Sequence, residues 1–254
     1  MEPGRDQEST CGVPFPGAPL PRERWTRTRV GLGDPGTPLD WVALFGRDAP
    51  RVLDLGCGNG RFLVASALRR PTMDHLGIDL VPPAVRFASL RAGQRGLAHC
   101  KFAWGDASEV VTARCAPSSV DEIHLYHPQP YYDADRRERR QLTPEVLLAV
   151  HRALRPGGLF VVQTDNPAYA RYARTVLPAL FSVTERPGAW PDAPHGRTLR
   201  EIVARRKGLQ IVRLEARRAD LDADEAARRA AALPAPDFDA NRARYGAGRR
   251  RPRA

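Results

Sequence analysis

Residues 51–60 read Arg51-Val52-Leu53-Asp54-Leu55-Gly56-Cys57-Gly58-Asn59-Gly60, a mostly apolar run that meets an acid and then breaks into alternating glycines. The segment Arg51–Leu55 suits a buried strand. The glycines permit a tight turn and a close approach of backbone to a ligand. Beyond them, Arg61–Arg70 has helical spacing, and the first N–H groups of such a helix lack intrahelical acceptors. Strand, glycine turn and helix together open a doubly wound α/β unit.

Further strands are expected at His75–Asp79, Lys101–Trp104, Glu122–Tyr126 and Leu159–Thr164. Helical stretches lie between or after them, at Pro82–Arg95, Ser108–Arg114, Pro144–Leu154 and Ala168–Leu177, with a short one at Leu39–Phe45. Such alternation implies a parallel sheet with helical crossovers. A late segment, Gln210–Leu214, is expected as an antiparallel edge strand of a mixed sheet. Residues 1–38 form a Pro/Gly/Arg-rich irregular lead-in in which Trp25 is the residue expected to dock. Residues 39–218 form the α/β domain. Residues 219–254 are an Ala/Arg-rich basic tail, helical and charged at first, then loose and partly disordered, ending near Arg249-Arg250-Arg251.

Composition narrows the class. A chain of 254 residues with 42% hydrophobic residues can bury a core in one large or two small domains. No apolar run approaches the ~18 residues of a membrane span, and the first thirty residues carry no signal-peptide core, which excludes membrane and exported classes. Cys11, Cys57, Cys100 and Cys115 are scattered, without the spacing of a zinc site or a disulfide framework. A reducing cytoplasm is the expected compartment. Lys and Arg number 40 against 29 acids, a net charge of +11, and Lys101 and Lys207 are the only lysines. That arginine excess has two readings, a GC-rich genome or a polyanionic partner.

The glycine turn is selective about its ligand. A dinucleotide fingerprint, G-x-G-x-x-G, would need glycine where Arg61 stands, and a Walker loop would need a Gly-Lys-Ser/Thr ending. Instead Asp54 precedes the glycines, where a carboxylate repels pyrophosphate and attracts a cation. The amino-acid portion and sulfonium of S-adenosylmethionine (AdoMet) meet that demand. Asp79 is placed for ribose hydroxyls, and Asp106, in Gly105-Asp106-Ala107, for the adenine amino group. Singly, each acid also suits a strand-end cap. Three at the carboxyl ends of consecutive strands share one crevice. The cofactor set is therefore Asp54, Gly56, Gly58, Gly60, Asp79 and Asp106 of a class I methyltransferase domain.

The fourth strand ends in Leu125-Tyr126-His127-Pro128-Gln129-Pro130-Tyr131-Tyr132, and Arg136, Arg137, Arg139 and Arg140 follow. The fifth ends in Thr164-Asp165-Asn166, with Tyr169 beyond it, and Thr198-Leu199-Arg200-Glu201 comes later. In order and spacing, from Arg51 to Glu201, the chain resembles the bacterial tRNA (guanine-7-)-methyltransferase family. That family carries an acid-led glycine loop, a G-I-E strand end, a G-D-A turn and an F-P-D-P-W segment. A basic run, a T-D-x-x-x-Y motif and a T-x-x-E motif complete its pattern. The resemblance implies a Rossmann-like fold whose mostly parallel seven-stranded sheet carries helices on both faces. It also implies AdoMet as co-substrate without a metal, tRNA as partner, no membrane, and a cytoplasmic monomer or homodimer. Gln129 and Asp165 fall at the catalytic positions. Substrate contacts fall at Asp133, Arg136, Arg139, Arg140, Asp165, Thr198 and Glu201.

Three positions depart from the family pattern: Gln129 replaces the acid of P-D-P, Asp133 a lysine, and Tyr131 the tryptophan. The 7-nitrogen of guanine bears a lone pair and no proton, so its methylation needs alignment and a favourable field rather than a general base. Asp133, Asp135 or Asp165 is expected to supply the field that Gln129 does not. Several of these residues also have structural readings. Thr198 and Glu201 match a capping box, the arginine run matches a solvated turn, Cys57 a small filler, and His127 a loop histidine with no assigned role. Two alternatives stay open, a class I methyltransferase acting on another substrate and an inactive homologue that binds AdoMet or tRNA.

Overall fold

The computed structural model describes residues 9–34 and 36–241. Its centre is a seven-stranded sheet, with β1 (Arg51–Leu55), β2 (Asp74–Asp79), β3 (Cys100–Trp104), β4 (Val120–Tyr126), β5 (Leu154–Thr164), β6 (Phe181–Glu185) and β7 (Val212–Arg218). The spatial order is β3-β2-β1-β4-β5-β7-β6, and β7 runs antiparallel to both neighbours. The chain reverses its direction of winding between β1 and β4, where doubly wound sheets open a crevice at their carboxyl ends. Asp54 pairs in register with Gly77 on one side and His124 on the other, which sets it at the centre of that switch.

Alternation along the strands sends side chains into two cores. Leu53, Leu55, Phe160 and Val162 face the layer of α1 (Trp41–Phe45), α5 (Pro144–Ala153), α6 (Pro167–Val176) and α8 (Ala223–Ala231). Val52, Phe102 and Val161 face the layer of α2 (Arg61–Arg69) and α3 (Pro82–Gln94). A single helical turn, α4 (Ala107–Glu109), continues into a π-turn over Val110–Arg114, and α7 (Leu199–Arg206) precedes β7. The helix starts follow sequence chemistry. Thr143 and Asn166 cap α5 and α6 with proline at the next position, and Thr198 and Asp222 cap α7 and α8.

Three expectations are corrected. Val212–Arg218 is antiparallel but lies inside the sheet, and the edge is Phe181–Glu185, whose short run with Ser182, Thr184 and Glu185 gives little strand signal. In the lead-in it is Phe15 that docks, beneath the guanidinium groups of Arg91 and Arg95 at 4.4 and 4.9 Å from its ring centre, while Trp25 stays 39% exposed. The same lead-in covers the free edge of β3 through hydrogen bonds of Thr28 and Val30 with Phe102. The tail is not loose up to residue 241. Ala226 and Ala230 of α8 are buried in the core, and Pro234, Pro236, Phe238 and Ala240 accept hydrogen bonds from the domain. Arg249–Arg251 lie outside the described residues.

Gly60 shows how tightly the loop is built. It caps α2 at φ 75°, and a Cβ there would stand 2.7 Å from the Ala88 Cβ and 2.9 Å from Phe102 Cζ. Gly60→Ala is expected to lower stability by about 2–4 kcal/mol, the sum of left-handed strain and overpacking. Chemical denaturation measures it, and a loss under 1 kcal/mol would show that the contact yields freely.

Candidate functional site

The turn after β1 folds over the end of β2. Gly56 and Cys57 donate their N–H groups to the Ile78 carbonyl, and Gly58 donates to Asp79 Oδ2 at 2.8 Å. Asp79 Oδ1 accepts the Val81 N–H at 2.8 Å, so one carboxylate ties the glycine turn to the start of α3. The positive φ of Gly56 and Gly58, 81° and 54°, is the conformation that favours glycine here. Asp54 lies beneath the turn, buried, and its Oδ1 has no hydrogen-bond partner among the described residues. Burial first, and then the neighbouring Asp79, push its carboxyl well above the usual carboxylate range. Burial, Asp54 and Asp79 also raise the Cys57 thiol, which leaves it a small inert filler.

Above the turn lies a cleft of about 910 Å³. One wall carries Asp79, Leu80, Val81 and Asp106. Asp106 caps α4 through Oδ1, at 2.7 Å from the Ser108 N–H, and its Oδ2 has no bond within the described chain. The opposite wall carries His127, Gln129, Tyr131 and Arg139. His127 and Tyr131 hold left-handed φ values of 51° and 43°, costly for residues with side chains. Two clamps maintain that shape. The His127 N–H donates to the Gln163 carbonyl at 2.6 Å, and Arg140 donates to the carbonyls of Pro130 and Tyr131 at 2.7 and 2.9 Å.

The cleft thus gathers Gly56, Asp79, Asp106, Gln129, Arg139 and Arg140 of the expected residues, over the buried Asp54. Several are engaged by the fold, Arg140 among them although it borders the cleft. Arg140 is 1% exposed, donates also to Pro236 and Phe238 carbonyls at 2.5 and 2.8 Å, and stacks on the Phe238 ring at 3.9 Å. It is a brace between the loop and the tail, not an open phosphate contact, because its donors are already directed at carbonyls. The Thr198 hydroxyl accepts the Glu201 N–H at 3.1 Å as the cap of α7. Glu201 is fully buried, with Oε2 on the Arg197 N–H at 2.8 Å and Oε1 on Arg213 at 2.5 Å. Both oxygens of its carboxylate are engaged by the fold. Asp133 and Arg136 are exposed and face each other at 3.9 Å, outside the cleft wall. Asp165 lies behind the wall, its oxygens engaged by His127 and Arg200.

Four contributors carry little sequence signal: Tyr126 on the cleft wall, Gln163, Trp190 and Arg200. Gln163 stands out only as the polar residue that ends the apolar run Phe160–Val162, and Arg200 only as the interior of Thr198–Glu201. Among the described residues no cluster of His, Cys, Asp or Glu suits a metal, and no helix is long and apolar enough to cross a membrane.

Comparison with known proteins agrees with this architecture. A family model described as "Putative methyltransferase" matches residues 48–214. The tRNA (guanine-N(7)-)-methyltransferase of Burkholderia cenocepacia is 31% identical over 172 residues, covering 68% of this chain and 67% of that protein. The protein of the same name from Xanthomonas campestris pv. campestris is 34% identical over 184 residues, covering 69% and 70%. Among solved structures, the 16S rRNA methyltransferase KamB matches with a TM-score of 0.53 at 19% identity, over 70% of this chain and 91% of that one, a likeness of fold.

Proposed function

The chain belongs to the methyltransferase family that includes these tRNA (guanine-N(7)-)-methyltransferases, and from that premise we propose that it methylates a guanosine of tRNA at the ring 7-nitrogen, with AdoMet as donor. The observation that carries this reading is a single cleft with acids on one wall and Gln129 and Tyr131 on the other.

The residues fit the donor. The orphaned Oδ1 of Asp54 needs a partner, and a cation would supply one. A Cβ on Gly58 would meet nothing within 4 Å, and one on Gly56 only Gln141 Oε1 at 3.9 Å, so the turn is an open floor. We assign Asp54 to the donor's ammonium end, Asp79 to ribose hydroxyls and Asp106 to the adenine amino group. Leu80 and Val81, apolar and exposed on the same wall, suit the purine face. When bound, the donor supplies an electrophilic methyl carbon.

On the acceptor side the chain's own groups need only align and stabilise, because the attacking nitrogen already holds its lone pair. Gln129 offers an amide to the edge of the base, and Tyr131 a ring to stack on it. Asp165, paired with Arg200 behind the wall, holds the His127 ring that lines it. The same reading places the protein in the cytoplasm, acting on tRNA. Gln129 also motivates a second reading, donor binding without transfer.

The deciding experiment incubates purified protein with methyl-labelled AdoMet and tRNA from cells lacking 7-methylguanosine. Labelled 7-methylguanosine in the digest is the expected result. Donor binding by calorimetry without any transfer would replace this function with the second reading.

A further inference from the structure

A chain of hydrogen bonds behind the acceptor wall has one determined polarity. The Trp190 indole N–H can only donate, and it donates to Gln163 Oε1 at 2.5 Å. That fixes the Gln163 amide, so its NH2 faces His127 Nε2 at 2.8 Å, and Nε2 is the acceptor. The imidazole proton of this tautomer then sits on Nδ1, pointing at Asp165 Oδ1 at 2.9 Å. Trp190 and Gln163 are 1% and 0% exposed, and the His127 and Asp165 side chains 4% and 5%.

Among the described residues the network leads on to Arg200. Its Nη2 meets Asp165 Oδ2 at 2.7 Å and its Nε meets Oδ1 at 3.3 Å, while its side chain is 45% exposed. Nη1 makes no hydrogen bond among the described residues, which leaves the Nη1–Nη2 edge directed away from the carboxylate. Thr198 and Glu201, on either side, fix the first turn of α7 and thereby the arginine between them. The buried Asp165 carboxylate needs a counter-charge, and Arg200 supplies it through Nε and Nη2, a pairing that leaves the other edge of the half-exposed guanidinium unused. That edge has the geometry to donate two parallel hydrogen bonds to a phosphate.

We propose that Arg200 grips a phosphodiester of the bound RNA beside the acceptor wall, and that His127 is the positioning residue that aims it through Asp165. The proposal rests on the tRNA reading above. Phosphate contacts set register rather than sequence, so Arg200 orients the backbone while Gln129 and Tyr131 meet the base.

The test measures binding of fluorescent tRNA across a salt series, together with methyl transfer and AdoMet affinity. Arg200→Met is expected to weaken tRNA binding about tenfold and to reduce the slope of log K against log salt by about 0.7–0.9, one phosphate's worth, with AdoMet affinity unchanged. Arg200→Lys restores the slope without the full affinity, since it keeps the charge and loses the fork. His127→Asn, which keeps an N–H near the Nδ1 position, is expected to bind as wild type does. His127→Phe shows the Arg200→Met slope, and the double variant is no worse than Arg200→Met. Wild-type protein that labels tRNA while Arg200→Met matches its affinity and slope would overturn this proposal alone. Wild-type protein that neither binds nor labels tRNA would overturn it together with the tRNA reading.

Discussion

Replacing Glu201 by alanine is expected to cost the fold about 3–5 kcal/mol and to lower the thermal midpoint by on the order of ten degrees. Glu201 is fully buried beside Arg213, itself 4% exposed, at 2.5 Å. Removing the carboxylate leaves a buried guanidinium without its counter-charge and the Arg197 N–H without its acceptor. Such a loss exceeds the net worth of the intact pair, because desolvation was already incurred by both ions. Glu201→Gln keeps the volume and the Arg197 bond and is expected to fall between alanine and wild type. Melting curves of both variants decide the matter. An alanine variant that melts like wild type yet turns over no tRNA would return Glu201 to the substrate side.

The second large effect concerns Asp54. Asp54→Asn is expected to lower AdoMet affinity on the order of a hundredfold at neutral pH, since it removes the charge we assign to the ammonium end. The apoprotein should melt at or above the wild-type temperature, because the amide relieves a carboxyl disfavoured by burial and by Asp79. The pH dependence has a definite sign. With the folded carboxyl raised above its unfolded value, its contribution to stability is full below the ordinary carboxylate range and is lost as pH rises toward the folded value. Donor affinity runs the other way. A cation favours the deprotonated form, so binding strengthens with pH over that window and releases a proton. Calorimetry in buffers of different ionisation enthalpy reports that proton. Equal affinities for wild type and Asp54→Asn would remove Asp54 from the donor site.

What the sequence disclosed and what it hid follow from the range of the interactions. Strands β1 to β5 were legible because apolar runs, glycine breaks and helix caps are local, and Asp79 and Asp106 because strand ends place them. Asp54 reads as a ligand acid from one strand, although its depth beneath the turn depends on β2 and β4. The acceptor side resisted for the opposite reason. Arg140 looks like any member of a basic run until Pro236 and Phe238 enclose it, and Glu201 looks like a cap until Arg213 arrives from β7. Burial of a charged side chain is decided by distant partners, and a single sequence does not name them. His127 and Gln163 illustrate the same point, since the meaning of each depends on the other and on Trp190.

The brace at Arg140 also imposes an order on biosynthesis. Its partners Pro236 and Phe238 lie 96 and 98 positions further along the chain. A ribosome delivers β1, β2 and β3, and with them the acids of the donor wall, well before either carbonyl exists. The loop bearing Gln129 therefore gains its Arg140 brace only after residues 236 and 238 have been made.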